Sequence, residues 1–401
     1  MKIMTAMASK QSKHLIPVAD ASPVLVSTGV EKSLPYTISK DFAIKAKDDG
    51  KVKEIDKSSN MMVLEYKNGT HEAVNLNSVI VKNGGGGFYL ANKLDTDYKV
   101  GQSFKKNDII AADKQFFSKH YDGVKFNLGV LCKCAIMSSF ATFEDAKMIT
   151  QNLSERMATE MIMSKHLVLG NNATVESMVK VGQEVHVGDD LIKYEVSNSE
   201  QEMNRLLRNI GEDMKEDIKA MGRTSIHSKY NGVIEEIRIY STYELNELSP
   251  SLKKIVGDYW SHIRKKKALV KKYKITDPDD MGSTFYEADG PIKPDERGKF
   301  KGYKVDEGGV IFEFYIKFRD PVGIGDKLCD YAALKGVTCV VVPKGQEPYT
   351  PRKPKEEIST IFPATSVMAR MVPSILNTIW SNKLIIEMKE QLRDMYEAGK
   401  K

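Results

Sequence analysis

The residues best suited to bind an anion are two lysines, Lys327 and Lys335, which stand eight residues apart in the chain. Each has a glycine close by, Gly325 before the first lysine and Gly336 directly after the second. Fixed cations beside a backbone that glycine leaves open suit a polyanion such as a phosphate chain. An ordinary solvated loop explains the same residues. Spacing alone therefore leaves a phosphate-binding loop and a solvated loop open.

Two predicted strands must position these lysines. Residues 310–319 alternate and are rich in aromatic and β-branched side chains, which is typical of a strand. Residues 337–343 form a more continuous apolar run that ends at Pro343, which predicts a more buried strand. The lysines are therefore expected in a loop between two strands, with one lysine near each end.

Two adjacent carboxylates, Glu144 and Asp145, form a second candidate site. They follow residues 131–137, which are strand-like, and a short run of small residues. Adjacent carboxylates at the end of a buried strand are unfavourable unless they are paired, solvated or near a metal ion. From these residues alone, capping of a helix N-terminus is favoured over metal binding, although both interpretations stay open.

Composition places the chain among ordinary globular proteins. Its 401 residues suffice for roughly two to four modules, with 41% hydrophobic and 28% charged residues. No apolar run approaches the ~18 residues of a membrane span, and the N-terminus lacks a signal-peptide pattern. The four cysteines form no Cys-x-x-Cys pair and the seven histidines are scattered, so we expect a reducing cytoplasm without structural zinc or disulfides. Because the net charge is only +6, affinity for nucleic acid must come from local patches.

An internal repeat and two helices organise the middle of the chain. Residues 100–110 and 181–191 share one pattern, a Val-Gly pair followed at the same spacing by Asn-Asp or Gly-Asp, which predicts barrel-sandwich hairpins. Residues 199–221 predict an amphipathic helix for a core or an interface. Residues 252–273 predict a helix with a basic run at 264–267, which is either a solvated face or a surface for a nucleic-acid backbone.

Five segments resemble the beta subunit of multisubunit RNA polymerases and follow that family's order. They are residues 6–31, 143–146, 153–156, 325–337 and 361–371. The second and third resemble the family's Asn-Phe-Glu-Asp-Ala/Ser and Ser-Glu-Arg motifs. The fourth resembles its Gly-Asp-Lys…Lys-Gly signature, with both lysines at the family's spacing and Tyr-Ala-Ala where the family usually has Arg-His-Gly.

The resemblance implies a catalytic role for three residues and an auxiliary role for two. Lys327 and Lys335 would face the RNA 3′ end and the incoming nucleotide. Arg370 would contact the nucleotide triphosphate, for which a planar guanidinium is well suited. Glu144 and Asp145 would border the magnesium centre, near the metal ion that arrives with the nucleotide.

The resemblance also implies nucleic-acid contacts and a fold class. Lys10, Lys13 and His14 would lie near template or product, together with the two lysines of the loop. The fold class is mixed α+β, the C-terminal half of a polymerase beta subunit, with a barrel-sandwich hybrid and a double-psi beta-barrel-like core plus helices. The predicted segments are an active-site-proximal segment at 1–45, a β-rich hybrid-binding and barrel-sandwich region at 46–240, a basic helical insertion and connector at 241–309, a lysine-loop core element at 310–373, and a C-terminal helix at 374–401.

The implied function is DNA-directed RNA synthesis by a nucleotidyltransferase complex in which this chain is not active alone. The expected cofactor is Mg²⁺, with its principal ligands on a beta-prime subunit. The expected partners are an N-terminal beta fragment, beta-prime chains, DNA template, RNA product and NTPs, with no membrane. The family's beta-prime magnesium motif and beta clamp segment do not occur in the sequence. We interpret the chain as part of a split subunit from a large bacteriophage, acting in the cytoplasm of the infected bacterium or in the virion.

Two alternatives come from other classes of protein. Residues 100–114 also resemble a lipoyl- or biotinyl-carrier hairpin, in which Lys114 would carry the modification. A non-catalytic scaffold that retains the polymerase fold is the third interpretation. The intact mass of the purified chain distinguishes a modified carrier from the other two.

Overall fold

The computed structural model describes most of the chain between residues 18 and 399. The described ranges are 18–26, 29–82, 88–120, 122–127, 129–196, 223–281, 287–305, 308–329, 334–351, 353–369, 371 and 373–399. The predicted helix at 199–221 lies outside them, and so do the candidate site residues Lys10, Lys13, His14 and Arg370.

Strands dominate the secondary structure, in agreement with the expected mixed fold class. The strands are β1 (Ala43–Lys45), β2 (Gly50–Asp56), β3 (Met61–Tyr66), β4 (His71–Asn75), β5 (Val79–Lys82), β6 (Tyr89–Asn92), β7 (Leu94–Asp95), β8 (Ser103–Phe104), β9 (Ile109–Asp113), β10 (Phe117–His120), β11 (Gly123–Phe126), β12 (Cys134–Ile136), β13 (Ala146–Thr150), β14 (Thr159–Leu169), β15 (Ala173–Met178), β16 (Glu184–Val185), β17 (Asp190–Val196), β18 (Arg223–His227), β19 (Gly232–Ser241), β20 (Lys299–Phe300), β21 (Tyr303–Lys304), β22 (Val310–Asp320), β23 (Lys327–Cys329), β24 (Lys335–Val342), β25 (Tyr349–Thr350), β26 (Lys353–Glu357) and β27 (Thr360–Phe362). The helices are α1 (Val30–Thr37), α2 (Gln151–Arg156), α3 (Pro250–Lys272), α4 (Pro278–Met281), α5 (Ala364–Ala369) and α6 (Pro373–Glu397), with a 3₁₀ turn at Leu245–Glu247.

The chain divides into two compact units, each built from segments that are not consecutive in sequence. Unit 1 comprises Met1–Ala43, Ala112–Glu160 and Arg319–Lys401, and unit 2 comprises Ile44–Ala111 and Met161–Phe318. The division of the chain into five consecutive functional segments, made from the sequence, stays a prediction. None of the described helices is long and apolar enough to cross a membrane.

Unit 1 is organised around a five-stranded mixed sheet with the order β12-β27-β13-β24-β23. Strand β13 lies parallel to β24 and antiparallel to β27, while β23 runs antiparallel to β24. Strand β24 is rich in valine, as expected for a strand in the interior of a sheet. The predicted strand at 337–343 is confirmed, and it begins two residues earlier than expected.

Unit 2 contains a six-stranded sheet with the order β16-β19-β22-β14-β6-β5. Helix α3 begins where Ser249 Oγ accepts a hydrogen bond from the Leu252 amide at 3.4 Å. Trp260 of this helix packs in one buried apolar cluster with Phe312 and Phe314 of β22. Because their apolar periodicities are strong, the helix predicted at 252–273 and the strand predicted at 310–319 are both confirmed, with small shifts at their ends.

The internal repeat appears in unit 2 as two matching sets of backbone hydrogen bonds. Gly101 donates to the Val52 carbonyl at 2.8 Å, and Gly182 donates to the Ile234 carbonyl at the same distance. Both glycines have left-handed backbones, with φ of 84° and 83°. These glycines turn the chain back onto β2 and β19, so β8 pairs with β2 and β16 pairs with β19. The barrel-sandwich hybrid and the double-psi barrel stay predictions.

Candidate functional site

Lys327 and Lys335 lie on one short antiparallel hairpin, formed by β23 and the first residues of β24, which we call the lysine hairpin. Lys327 pairs with Val337, and Cys329 pairs with Lys335. Side chains alternate along a strand, so the two lysines and Cys329 share one exposed face while Leu328 points to the buried side. The lysines are diagonal neighbours on that face, a relation in which Cα atoms are about 7–8 Å apart. Two cations therefore stand side by side on an open surface.

The structure differs from the predicted loop because both lysines lie within paired strands. Each lysine is the first residue of a strand, Lys327 of β23 and Lys335 of β24, so neither belongs to the connecting segment. Strand β23 has only three residues, which is too short to produce a recognisable alternating pattern. The pairing of β23 with β24 restricts the positions of both lysines more than a loop would.

The buried side of the lysine hairpin packs closely on strand β13. Leu328 belongs to an apolar cluster with Ile149 and Leu153. Gly336 lies against Asp145, and a Cβ atom at residue 336 would overlap the Asp145 carbonyl oxygen. The Val337 amide donates a hydrogen bond to that same oxygen at 2.8 Å. Glycine at 336 is therefore required by the close approach of two backbones.

A third lysine, Lys147, lies beneath the hairpin and is only 1% exposed. Its Nζ donates to the Leu334 carbonyl at 2.5 Å and to the Leu328 carbonyl at 3.3 Å. The same atom is 4.3 Å from the centroid of the Phe362 ring. Sequence reasoning missed this residue, although a single charged residue within the otherwise uncharged strand Ala146–Thr150 was a usable signal.

Glu144 and Asp145 lie directly before β13 and next to the lysine hairpin. Both side chains are exposed, and Glu144 has a left-handed backbone with φ of 49°. Ser366 of α5 donates a hydrogen bond to the Glu144 carbonyl. The capping interpretation is wrong, because the next helix begins only at Gln151 and its cap is Thr150, whose Oγ1 accepts from the Leu153 amide at 3.2 Å. The carboxylates therefore precede a strand.

Among the residues that the structure describes, Glu144 and Asp145 provide part of a metal site. Glu144 and Asp145 offer the hard oxygen ligands that Mg²⁺ prefers. Within the part of the chain that the structure describes, no group of three or more His, Cys, Asp or Glu residues could hold a metal ion. The two carboxylates therefore fit an auxiliary contact and not a complete site.

The Ser-Glu-Arg segment, Ser154 to Arg156, stabilises the surroundings of the hairpin. Ser154 Oγ donates to the Val322 carbonyl at 2.7 Å, on the chain that leads into β23. Glu155 forms an ion pair of 3.0 Å with Lys344, which follows β24. Arg156 donates to the Leu131 carbonyl at 3.1 Å. This motif therefore ties together the segments on both sides of the hairpin.

The structure brings together four of the five segments singled out in the sequence, residues 143–146, 153–156, 325–337 and the described part of 361–371. Lys327, Lys335 and the Glu144-Asp145 pair converge at one part of the unit 1 sheet. Helix α5, which ends one residue before position 370, reaches the same place through Ser366. Lys114, the residue of the carrier alternative, is exposed in the turn after β9.

Comparison with known proteins gives one family. A family model described as RNA polymerase Rpb2, domain 6, matches residues 131–387, which is well over half of the chain. The matched range contains the carboxylate pair, the lysine hairpin and helix α5. No curated protein sequence matches the chain.

Proposed function

The chain belongs to the RNA polymerase Rpb2 domain 6 family, and from this membership we propose that it forms one side of the polymerase active centre. As a beta-subunit segment it is part of a nucleotidyltransferase complex. In our proposal the lysine hairpin faces the RNA 3′ end and the phosphates of the incoming NTP. Arg370 contacts the triphosphate, and Lys10, Lys13 and His14 lie along template or product.

The observation that carries the proposal is the convergence of Lys327, Lys335, Glu144 and Asp145 on one part of a single sheet. These residues come from segments far apart in the sequence, and β13 and β24 bring them together through parallel pairing. Lys327 and Lys335 are diagonal neighbours on one exposed face, so their two positive charges are close enough to contact one phosphate chain, and a bound polyanion would interact favourably with both.

In nucleotidyl transfer the RNA 3′ hydroxyl loses its proton to water, its oxygen forms a bond to the α-phosphorus of the NTP, and the bond to pyrophosphate breaks. Negative charge develops on the phosphate oxygens as pyrophosphate leaves. Lys327 and Lys335 each carry an ammonium group with three hydrogen-bond donors, which neutralise that charge when the site is partly shielded from water. Their pairing on adjacent strands reduces the motion required at the moment of reaction.

Magnesium supplies electrophilic stabilisation of the reacting phosphate when it is bound. We propose that a beta-prime subunit holds the principal ligands and that Glu144 and Asp145 contribute only at the edge of that centre. This division follows from the donor set, because two exposed carboxylates do not complete a coordination shell.

Further partners in the proposal are other beta-subunit sequence, beta-prime chains, DNA template and RNA product. Helix α6 supports an assembled state, since it exposes an apolar stripe that includes Trp380 at 74%, Leu384 at 61% and Leu392 at 63%. Such a stripe on a helix is normally covered by another surface. Membership of a split bacteriophage polymerase, in the infected host cytoplasm or the virion, stays a prediction.

Cys329 provides a chemical probe of the proposed site, because it is exposed and lies directly opposite Lys335. We expect iodoacetamide to label Cys329 several-fold more slowly when the polymerase, purified through a tag on this chain, holds an RNA–DNA scaffold and NTP. Cys132 is the internal control: burial raises the pKa of its thiol to about 12, so it stays protonated and resists alkylation at pH 8.

Peptide mass spectrometry of timed reactions measures both labelling rates. A DNA duplex without RNA gives the matched control for general shielding by nucleic acid. Equal labelling of Cys329 with and without the RNA–DNA scaffold would contradict a position near the growing RNA.

A further inference from the structure

Leu328 and Leu334, the chain neighbours of Lys327 and Lys335, are anchored in different parts of unit 1. Leu328, directly after Lys327, packs in the apolar cluster with Ile149 and Leu153. Leu334, directly before Lys335, packs in a separate apolar cluster with residues of α5 and α6. Three residue pairs join β23 to β24, and Thr338 of β24 makes backbone hydrogen bonds with Gly325 and Asp326 at 2.9 and 2.8 Å. This pairing sets the register of the two lysines, and a contact that connects the two anchors would further restrict their distance and orientation.

Lys147 makes that connection. Its amino group donates to the carbonyls of Leu328 and Leu334, at 3.3 and 2.5 Å, and so contacts the neighbour of each surface lysine. The Lys147 side chain passes directly beneath Gly336, where an added Cβ atom would lie 2.8 Å from its Cε. The absence of a side chain at residue 336 thus gives this lysine its path to both carbonyls.

A lysine at this position is not explained by packing. Removing an amino group from water is unfavourable unless hydrogen bonds replace those to solvent. Methionine has a similar length and would fill the same space in the interior of the sheet without that penalty. The neighbouring residues of β13 in the interior are Met148 and Ile149, both buried and apolar. The Lys147 amino group makes contacts that methionine cannot, namely the pair of hydrogen bonds to the Leu328 and Leu334 carbonyls and a cation–π contact with Phe362.

We propose that Lys147 is a positioning residue that acts together with the pairing of β23 and β24 to set the distance and orientation of Lys327 relative to Lys335. It contacts neither RNA nor nucleotide, and it acts through the two carbonyls that it holds. The proposal rests on the proposed function of the lysine hairpin, which it extends to a buried residue.

The test is a double-mutant cycle in the purified polymerase, measured as single-nucleotide addition on an RNA–DNA scaffold. We expect Lys147→Met to lower the maximum rate about tenfold at equal assembly, while the KM for NTP changes less. The factor by which Lys335→Ala slows the Lys147→Met enzyme should be at least about five times smaller than the factor by which it slows the wild type, because coupled residues give non-additive effects. Met148→Ala is the matched control, since it removes a buried side chain from the same strand without removing the hydrogen bonds. It should lower thermal stability and leave the effect of Lys335→Ala unchanged.

A wild-type rate for Lys147→Met, or effects that simply multiply with those of Lys335→Ala, would overturn the positioning role while leaving the proposed function intact. A wild-type rate for Lys335→Ala would overturn both. If Lys147→Met prevents assembly, Lys147→Gln takes its place in the cycle, because the shorter amide does not reach both carbonyls.

Discussion

Alanine at either lysine of the hairpin is expected to slow single-nucleotide addition about a hundredfold, a loss of ~2–4 kcal/mol of transition-state stabilisation. The physical reason is that Lys327 and Lys335 share one face beside the carboxylate pair, so both can reach the same phosphate chain. In a site that is partly shielded from water, each positive charge interacts with phosphate far more strongly than it would at an open surface. Assembly should be unaffected, because neither side chain is buried.

Lys344 is the matched control for this prediction. It is exposed, follows β24 and forms a 3.0 Å ion pair with Glu155. Lys344→Ala should therefore reduce transition-state stabilisation by well under ~1 kcal/mol. Lys335→Arg should restore the rate only in part, because guanidinium is larger and is hydrated differently. The measurement is rapid-quench kinetics on a preassembled scaffold at equal assembly. Wild-type rates for both alanine variants would show that the hairpin has no role in the reaction.

Replacing Gly336 by alanine should slow nucleotide addition by disturbing the structure of the hairpin, without removing a charge. The new Cβ would overlap the Asp145 carbonyl oxygen, and it would lie 2.8 Å from Lys147 Cε. Relief of the overlap requires β24 to move away from the residue before β13, which breaks the 2.8 Å hydrogen bond from the Val337 amide. We expect the free energy of unfolding to fall by about 3 kcal/mol and nucleotide addition to slow at least about tenfold.

Gly323→Ala is the control for Gly336→Ala, since it introduces the same methyl group in the chain that leads to the hairpin. At that position the nearest atom to an added Cβ is Asp326 Oδ2 at 3.9 Å, which is ordinary contact. Urea unfolding of the chain and nucleotide addition by the polymerase measure the two effects. If Gly336→Ala is as stable and as active as Gly323→Ala, the close packing of the hairpin on β13 is not required.

The elements with strong local patterns could be predicted from the sequence. Strands β22 and β24 are long, apolar and rich in β-branched or aromatic residues, and the helix α3 has a regular buried stripe. In each case the pattern of apolar residues lies within one continuous stretch of sequence, so the element can be predicted without knowing which distant residues it contacts.

The arrangement of the site could not be predicted in the same way. Strand β13 lies between β24 and β27, and such parallel and long-range pairing leaves no local signature. The local sequence therefore favours a helix cap for Glu144 and Asp145 while leaving metal binding open, whereas in the structure they lead into strand β13 beside β24. Lys147 was missed because its role depends on two carbonyls from a distant segment.

A chemical cross-link from the RNA 3′ end tests the central claim most directly. Periodate converts the terminal ribose of the RNA into a dialdehyde, which forms an imine with a nearby lysine amine as water leaves. Borohydride then reduces the imine to a stable amine, and peptide mass spectrometry identifies the lysine. On the assembled polymerase we expect adducts on Lys327 or Lys335, and their loss when both are replaced by arginine. Adducts confined to lysines outside the hairpin, such as Lys344, would contradict the claim that the lysine hairpin faces the RNA 3′ end.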